Sequence, residues 1–309
     1  RDRTLIGLFG HAEGCDDPEK PKAAVRGISR PDGARMNADF FDRTMVNLTI
    51  DTGDNPGAVG IKYYSNNTGV MRDVLVRGNG VIGIDLGSHD QNGPCLLDNV
   101  EVDGFDVGIS TGHMLNSQTF SRITIRNARQ AGFVADRQTL AIERLHVVNA
   151  PVALECRNWA FVALVDSRFE TADSREPAVR LKGSPLHVQR LHTAGYAAAI
   201  ADAEGEVLAE GPVVGNFTSG AVHTLGPETP AAPLALAPAA EPVIPYPTDP
   251  EKWVCANEFG AKTGADLTEP LQKAIDAAAA KGASVVYLRA GKSGDPNWYF
   301  LKGAVRVHG

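Results

Sequence analysis

Ser121-Arg122-Ile123-Thr124-Ile125 carries the pattern that decides the fold: a polar pair, an aliphatic residue, a variable residue and a second apolar one. Upstream the pattern stands as Val46-Asn47-Leu48-Thr49-Ile50, Arg72-Asp73-Val74-Leu75-Val76 and Asp98-Asn99-Val100-Glu101-Val102. Downstream it returns as Glu143-Arg144-Leu145-His146-Val147, with weaker copies at Asp166-Ser167-Arg168-Phe169 and Gln189-Arg190-Leu191-His192-Thr193. The third position falls at 48, 74, 100, 123, 145, 167 and 191, steps of 22–26 residues. A fixed period of this size marks a solenoid.

A second motif interleaves with the first: an aliphatic run, often holding glycine. It reads Val59-Gly60-Ile61, Ile82-Gly83-Ile84-Asp85-Leu86, Val107-Gly108-Ile109, Ala131-Gly132-Phe133-Val134 and Val152-Ala153-Leu154. Period-two alternation assigns both motifs to half-buried strands. Two or three short strands per repeat, with no helical pattern between them, predict an all-β chain folded as a right-handed parallel β-helix. The fixed leucine-and-asparagine pattern of leucine-rich repeats is missing. So are the regular Asn-Gly or Asp-Gly hairpin turns of a β-sandwich. Leu48, Val74, Val100, Ile123 and Leu145 are expected to stack in one inward column, one coil above the next at about 4.8 Å. The 32 glycines are expected in turns that need positive φ. The interior is then solid, and any chemistry belongs on the outer faces or in turn insertions.

The repeat fades after Ala201-Asp202-Ala203, which sets a first unit at residues 1–225. Residues 226–250 hold eight of the nineteen prolines and read as an extended linker, with wrapping across a neighbouring surface as the alternative. In 251–309 the pattern changes. Asp266-Leu267-Thr268-Glu269 is a capping-box candidate, Pro270 suits a first helical turn, and Leu271, Ala274, Ile275 and Ala278 share one helix face. Lys281-Gly282 ends the helix, and Ser284-Val285-Val286-Tyr287-Leu288 reads as a buried strand. Arg1 opens the chain and the strand-like Ala304-Val305-Arg306-Val307 nearly ends it, so both ends read as cut.

The chain has 309 residues and a net charge of −7 without a long basic run, which excludes a nucleic-acid or anionic-membrane partner. No apolar stretch approaches the roughly 18 residues of a membrane helix. Cys15, Cys95, Cys156 and Cys255 are scattered and read as buried free thiols, with a disulfide as the alternative. No metal cluster or cofactor motif stands out. Asp51 with Asp54 is too little for calcium, and Gly78-Asn79-Gly80 follows no βαβ pattern and is a turn.

Glu258-Phe259-Gly260-Ala261-Lys262-Thr263-Gly264-Ala265-Asp266, then Leu271 to Ala278, then Val285-Val286-Tyr287-Leu288-Arg289-Ala290-Gly291, resembles the opening signature of the pectate-lyase-like β-helix superfamily. Arg289 stands where that signature has proline, and Lys292–Asn297 is an insertion. The tandem layout is most similar to glycoside hydrolase family 55. Asn47-Leu48-Thr49-Ile50-Asp51-Thr52-Gly53, Asn55-Pro56-Gly57-Ala58, Gly93-Pro94-Cys95 and Gly104–His113 resemble that family's first β-helix. The resemblance implies a first β-helix lacking its N-terminal part, then the truncated start of a second β-helix with a short N-terminal helix. It also implies an extracellular or periplasmic, polysaccharide-degrading parent: an inverting hydrolase of β-glucan, with no cofactor. Its partners would be the polysaccharide and, within the chain, the second β-helix. The family's catalytic glutamate lies on coils of that second β-helix beyond residue 309, so the fragment is expected to be inactive alone. The alternatives are a non-catalytic, tailspike-like carbohydrate-binding module and a polyuronide lyase.

Inverting hydrolysis needs two carboxyls about 6.5–9.5 Å apart. Outward acids on the glycine-bearing strands, Asp85, Asp106 and Glu155, are the candidates, set against the plain reading of solvated surface acids. His113 and Asn116 are candidates for sugar hydroxyls, set against turn hydrogen bonds. Trp159 is a candidate stacking ring, set against packing under a loop.

Overall fold

The inward column is present. A computed structural model describes residues 4–27, 41–87, 92–112, 116–220, 247, 249–292, 294, 296 and 298–307. In it Val74 pairs with Val100, Val100 with Ile123 and Ile123 with Leu145, all in parallel register and all buried. Leu48, one residue before the Thr49–Leu75 pair, extends the column at its half-buried end. Each such aliphatic side chain contributes about 1.5–3 kcal/mol over an exposed one.

In chain order the strands are β1 (Thr4–Gly7), β2 (Lys22–Arg26), β3 (Thr44–Val46), β4 (Leu48–Asp51), β5 (Ala58–Lys62), β6 (Asn66–Arg77), β7 (Ile82–Asp85), β8 (Gly93–Asp103) and β9 (Val107–Ser110). They continue as β10 (Gln118–Arg126), β11 (Ala131–Asp136), β12 (Thr139–Val148), β13 (Val152–Arg157), β14 (Phe161–Glu170), β15 (Val179–Lys182), β16 (Leu186–Ala194), β17 (Ile200–Asp202), β18 (Val207–Ala209) and β19 (Val213–Thr218). One sheet runs β1-β4-β6-β8-β10-β12-β14-β16-β19, with β3 also on β6, and the other β2-β5-β7-β9-β11-β13-β15-β17-β18. The chain crosses between the sheets in every coil, giving a parallel β-solenoid of about six turns. Only the last strand of each sheet reverses: β19 lies antiparallel on β16, and β18 on β17.

The polar pair of the sequence motif is a bend. Asn47, Asp73, Asn99, Arg122, Arg144, Asp166 and Arg190 all hold left-handed backbone, with φ of 51–60°. They stand one residue before each inward position, aliphatic except for the buried Ser167, so every first-sheet strand from β6 to β16 turns a corner there. Glycines hold the expected positive φ in other turns, among them Gly53, Gly78 and Gly104, yet this column contains none. Side chains of neighbouring coils bond to one another instead: Asn99 Nδ2 donates to Asp73 Oδ1 (2.6 Å), Arg122 Nη2 to Asp98 Oδ2 (2.5 Å) and Arg190 Nη2 to Asp166 Oδ2 (2.9 Å). Short polar side chains tolerate this conformation, and these bonds between coils help to hold it. The hydrogen bond from Arg190 holds the Asp166 carboxyl below the usual carboxylate range. That rung is therefore intact above this range and is lost as pH falls through the lowered value.

Glycine does other work inside the strands. A Cβ on Gly60, Gly83, Gly108 or Gly132 would lie 2.3–2.7 Å from a methyl of Val76, Val102, Ile125 or Val147 on the opposite sheet. The two sheets approach closely along this column, and in the later coils Ala153, Ala178 and Ala199 take the glycines' place in the register. All four cysteines are free and buried. Burial pushes the Cys95 thiol up to about 12 and raises Cys156 as well. Alkylation at neutral pH is expected to wait for unfolding, and rapid labelling of the native protein would contradict these burials.

The chain divides into units of residues 1–235 and 236–309. Most of the expected linker, 226–246 and 248, lies outside the described residues. The second unit holds the helix α1 (Thr268–Lys281) and a parallel pair, β20 (Val254–Cys255) with β21 (Val286–Tyr287). Ala274 and Ala278 of α1 are buried against Val254, Ala256, Ala261 and Leu267, with Leu271 partly covered. The expected capping box is replaced. Asp266 Oδ1 accepts from the Thr268 amide (3.0 Å) and hydroxyl (2.7 Å), while Glu269 reaches forward to Lys273 (2.6 Å). Gly282 ends the helix in the left-handed conformation, as its sequence position predicts.

Candidate functional site

The second sheet presents an outward row, Lys62, Asp85, Ser110, Val134, Glu155 and Arg180, aligned rung by rung. Asp85 and Glu155 share it but stand three rungs apart, about 14 Å at the usual strand spacing. That exceeds the separation for inverting hydrolysis, so these two of the three candidates do not form such a pair. Asp85 instead accepts from the Gly87 amide (2.9 Å).

Asp106 is not on a strand. It lies in the turn before β9, where Arg129 Nε donates to it at 2.7 Å. The same guanidinium reaches the carbonyls of Gly104 (2.5 Å) and Gly80 (2.7 Å), so the pair clamps consecutive coils together.

Glu155 belongs to the densest charge cluster of the solenoid. It is 8% exposed and accepts from Lys182 Nζ at 2.9 Å, with Arg157 and Arg180 each at 3.5 Å. One coil earlier Asp136, 7% exposed, receives Arg157 Nε (2.8 Å), Arg137 Nε (3.0 Å) and Asn158 Nδ2 (3.1 Å). Arg180 also pairs with Glu176. Asp136, Arg157 and Lys182 are register partners at the ends of β11, β13 and β15. Sequence reading passed over Asp136, although the alternation of Val134 with Asp136 on β11 gave the signal. Cations surround both carboxylates. That is the setting of a structural ion pair and the reverse of the apolar pocket that readies a carboxyl as a general acid.

Trp159 follows directly on this cluster, in the turn from β13 to β14. A side chain of this size more often packs under a loop, but Trp159 is 80% exposed. Asn158 and Trp159 both hold left-handed backbone, at φ 54° and 65°. For a bulky residue that conformation is an outlier, costing about 1–3 kcal/mol. The turn is braced at each end. Asn158 is tied to Asp136, the Ala160 amide bonds the Arg157 carbonyl (3.1 Å), and the Phe161 amide bonds the Gln138 carbonyl (3.0 Å). Phe161 is also exposed beside it.

Asn116 and His113 are the remaining candidates. Asn116 offers its carbonyl to Gln138 Nε2 (2.7 Å), and Gln138 also receives Gln118 Nε2 (3.1 Å) and donates to the Asn92 carbonyl (3.1 Å). The Asn92, Gln118 and Gln138 side chains are buried at the corner that leads into β8, β10 and β12, and Asn116 joins them through its backbone. His113 lies outside the described residues. Among the described residues no three His, Cys, Asp or Glu side chains converge as metal ligands, and no helix is long and apolar enough to cross a membrane. No protein-family model and no curated protein sequence matches this chain.

Proposed function

We propose that the solenoid binds a polysaccharide at the corner around Trp159 and does no glycosidic chemistry there. The observation that carries this reading is the exposed indole, held out on a braced turn at a conformational cost. A flat aromatic face presented rigidly suits the C–H face of a sugar ring, and rigidity lowers the entropy lost on binding. The carboxylates favour binding over cleavage. Asp85 and Glu155 stand too far apart, Asp106 is clamped by Arg129, and Glu155 is ringed by cations. This surface would hold a polysaccharide for hydrolysis elsewhere, in keeping with the resemblance to glycoside hydrolase family 55 and with an extracellular or periplasmic setting.

Affinity electrophoresis through gels containing laminarin and other polysaccharides tests it. At least one gel is expected to retard the protein, with Trp159→Ala losing the retardation about tenfold, some 1.4 kcal/mol, at an unchanged melting temperature. Reducing-sugar assays on the same substrates are expected to show no release. Absence of retardation in every gel, or equal retardation of Trp159→Ala, overturns the reading.

A further inference from the structure

We propose that the glycan held at Trp159 is acidic, with carboxylate or sulfate groups read by Arg137, Arg157 and Lys182. This rests on the binding reading above and names the ligand class. The support is a layering of charge. Beneath lie the Asp136 and Glu155 side chains, only 9–10% exposed, while above them Arg137, Arg157 and Lys182 are 40–53% exposed. The buried carboxylates fix the cation heads in place, and the layer that meets solvent holds three exposed cations against one exposed carboxylate, Glu176, itself paired with Arg180, although the chain carries −7 overall.

Donors remain for a ligand. A guanidinium has five N–H groups and an ammonium three. Arg137 shows one bond, to Asp136 through Nε, and Lys182 one, to Glu155. Planar guanidinium donors suit carboxylate and sulfate oxygens in two-point contact. The strand ends bearing Asp136, Arg157 and Lys182 rise by about 4.8 Å per coil. Positive groups therefore recur along the solenoid axis at roughly the pace of sugars in an extended chain, with Trp159 and Phe161 alongside.

The experiment measures binding of the whole chain to polygalacturonate, a sulfated glucan and neutral laminarin, at about 0.05 M and 0.5 M sodium chloride, where the screening length shrinks severalfold. Variants are Trp159→Ala, Lys182→Gln and Arg137→Gln; the last leaves every partner of Glu155 in place, and melting curves check that each folds. At least one acidic probe is expected to bind tenfold or more tighter than laminarin, to weaken at high salt and to lose severalfold in both cation variants. Laminarin binding that matches the acidic probes, ignores salt and vanishes only in Trp159→Ala overturns the acidic assignment and leaves the aromatic platform standing. Acidic-probe binding untouched by both cation variants also overturns it, and no binding of any probe overturns both proposals. The stronger of the two acidic probes tells carboxylate from sulfate.

Discussion

Ile123→Asp is expected to abolish the cooperative native fold. Ile123 is fully buried and lies mid-column between Val100 and Leu145. Aspartate would place an uncompensated carboxylate among aliphatic side chains, where even protonation leaves a polar group without a partner. In a stack where each coil is stabilised by its neighbours, the damage weakens two interfaces at once. A loss of several kcal/mol is comparable with the whole stability of an ordinary domain, about 5–15 kcal/mol. Ile123→Val removes one methylene and should cost only about 0.5–1.5 kcal/mol. Circular dichroism during urea titration separates the cases. A variant aspartate protein with the parent's midpoint would refute an inward-facing column.

Gly108→Val is the second large effect. A Cβ at Gly108 would stand 2.5 Å from Ile125 Cγ2 and 2.6 Å from the Gly132 carbonyl oxygen. The methyl can rotate aside, but the carbonyl belongs to the next coil's backbone and cannot move without disturbing the ladder. Overpacking of this kind costs about 1–3 kcal/mol for the first carbon, and valine adds more. Gly215→Ala in β19 is the control, since nothing lies within 4 Å of its added Cβ and its φ is not in the left-handed range. It should fall within about 0.5 kcal/mol of the parent. Equal midpoints for Gly108→Val and Gly215→Ala would show that the sheets are farther apart at this column than described.

The solenoid was legible because its physics is periodic. A column that must stay apolar in every coil leaves a repeating mark, and Val74, Val100, Ile123 and Leu145 carry it. The bend was legible in position but not in nature. Asn, Asp and Arg look like ordinary surface residues until cross-coil bonds such as Asn99 to Asp73 show what they stabilise. Glycine was legible in part: Gly53, Gly78 and Gly104 hold the positive φ expected of turns, while Gly60, Gly83, Gly108 and Gly132 answer to the nearness of the opposite sheet, which no local pattern reveals. The Trp159 corner was only half readable. Trp159 and Glu155 stood out as residue types, but Asp136 meets Glu155 through the shared Arg157, across a coil step, and exposure of the indole depends on how its turn is braced.

The reversal of β18 and β19 bears on self-assembly. Parallel coils are self-templating, since each exposes the pattern of donors and acceptors that the next one needs, and the same property drives fibre growth. At this end the final strands run the other way, so an incoming parallel coil meets an edge of the wrong polarity. The reversal is therefore expected to disfavour end-to-end polymerisation that continues the parallel ladder. Deleting residues 207–218 would remove it, and the shortened protein should seed fibrils at concentrations where the parent stays dispersed.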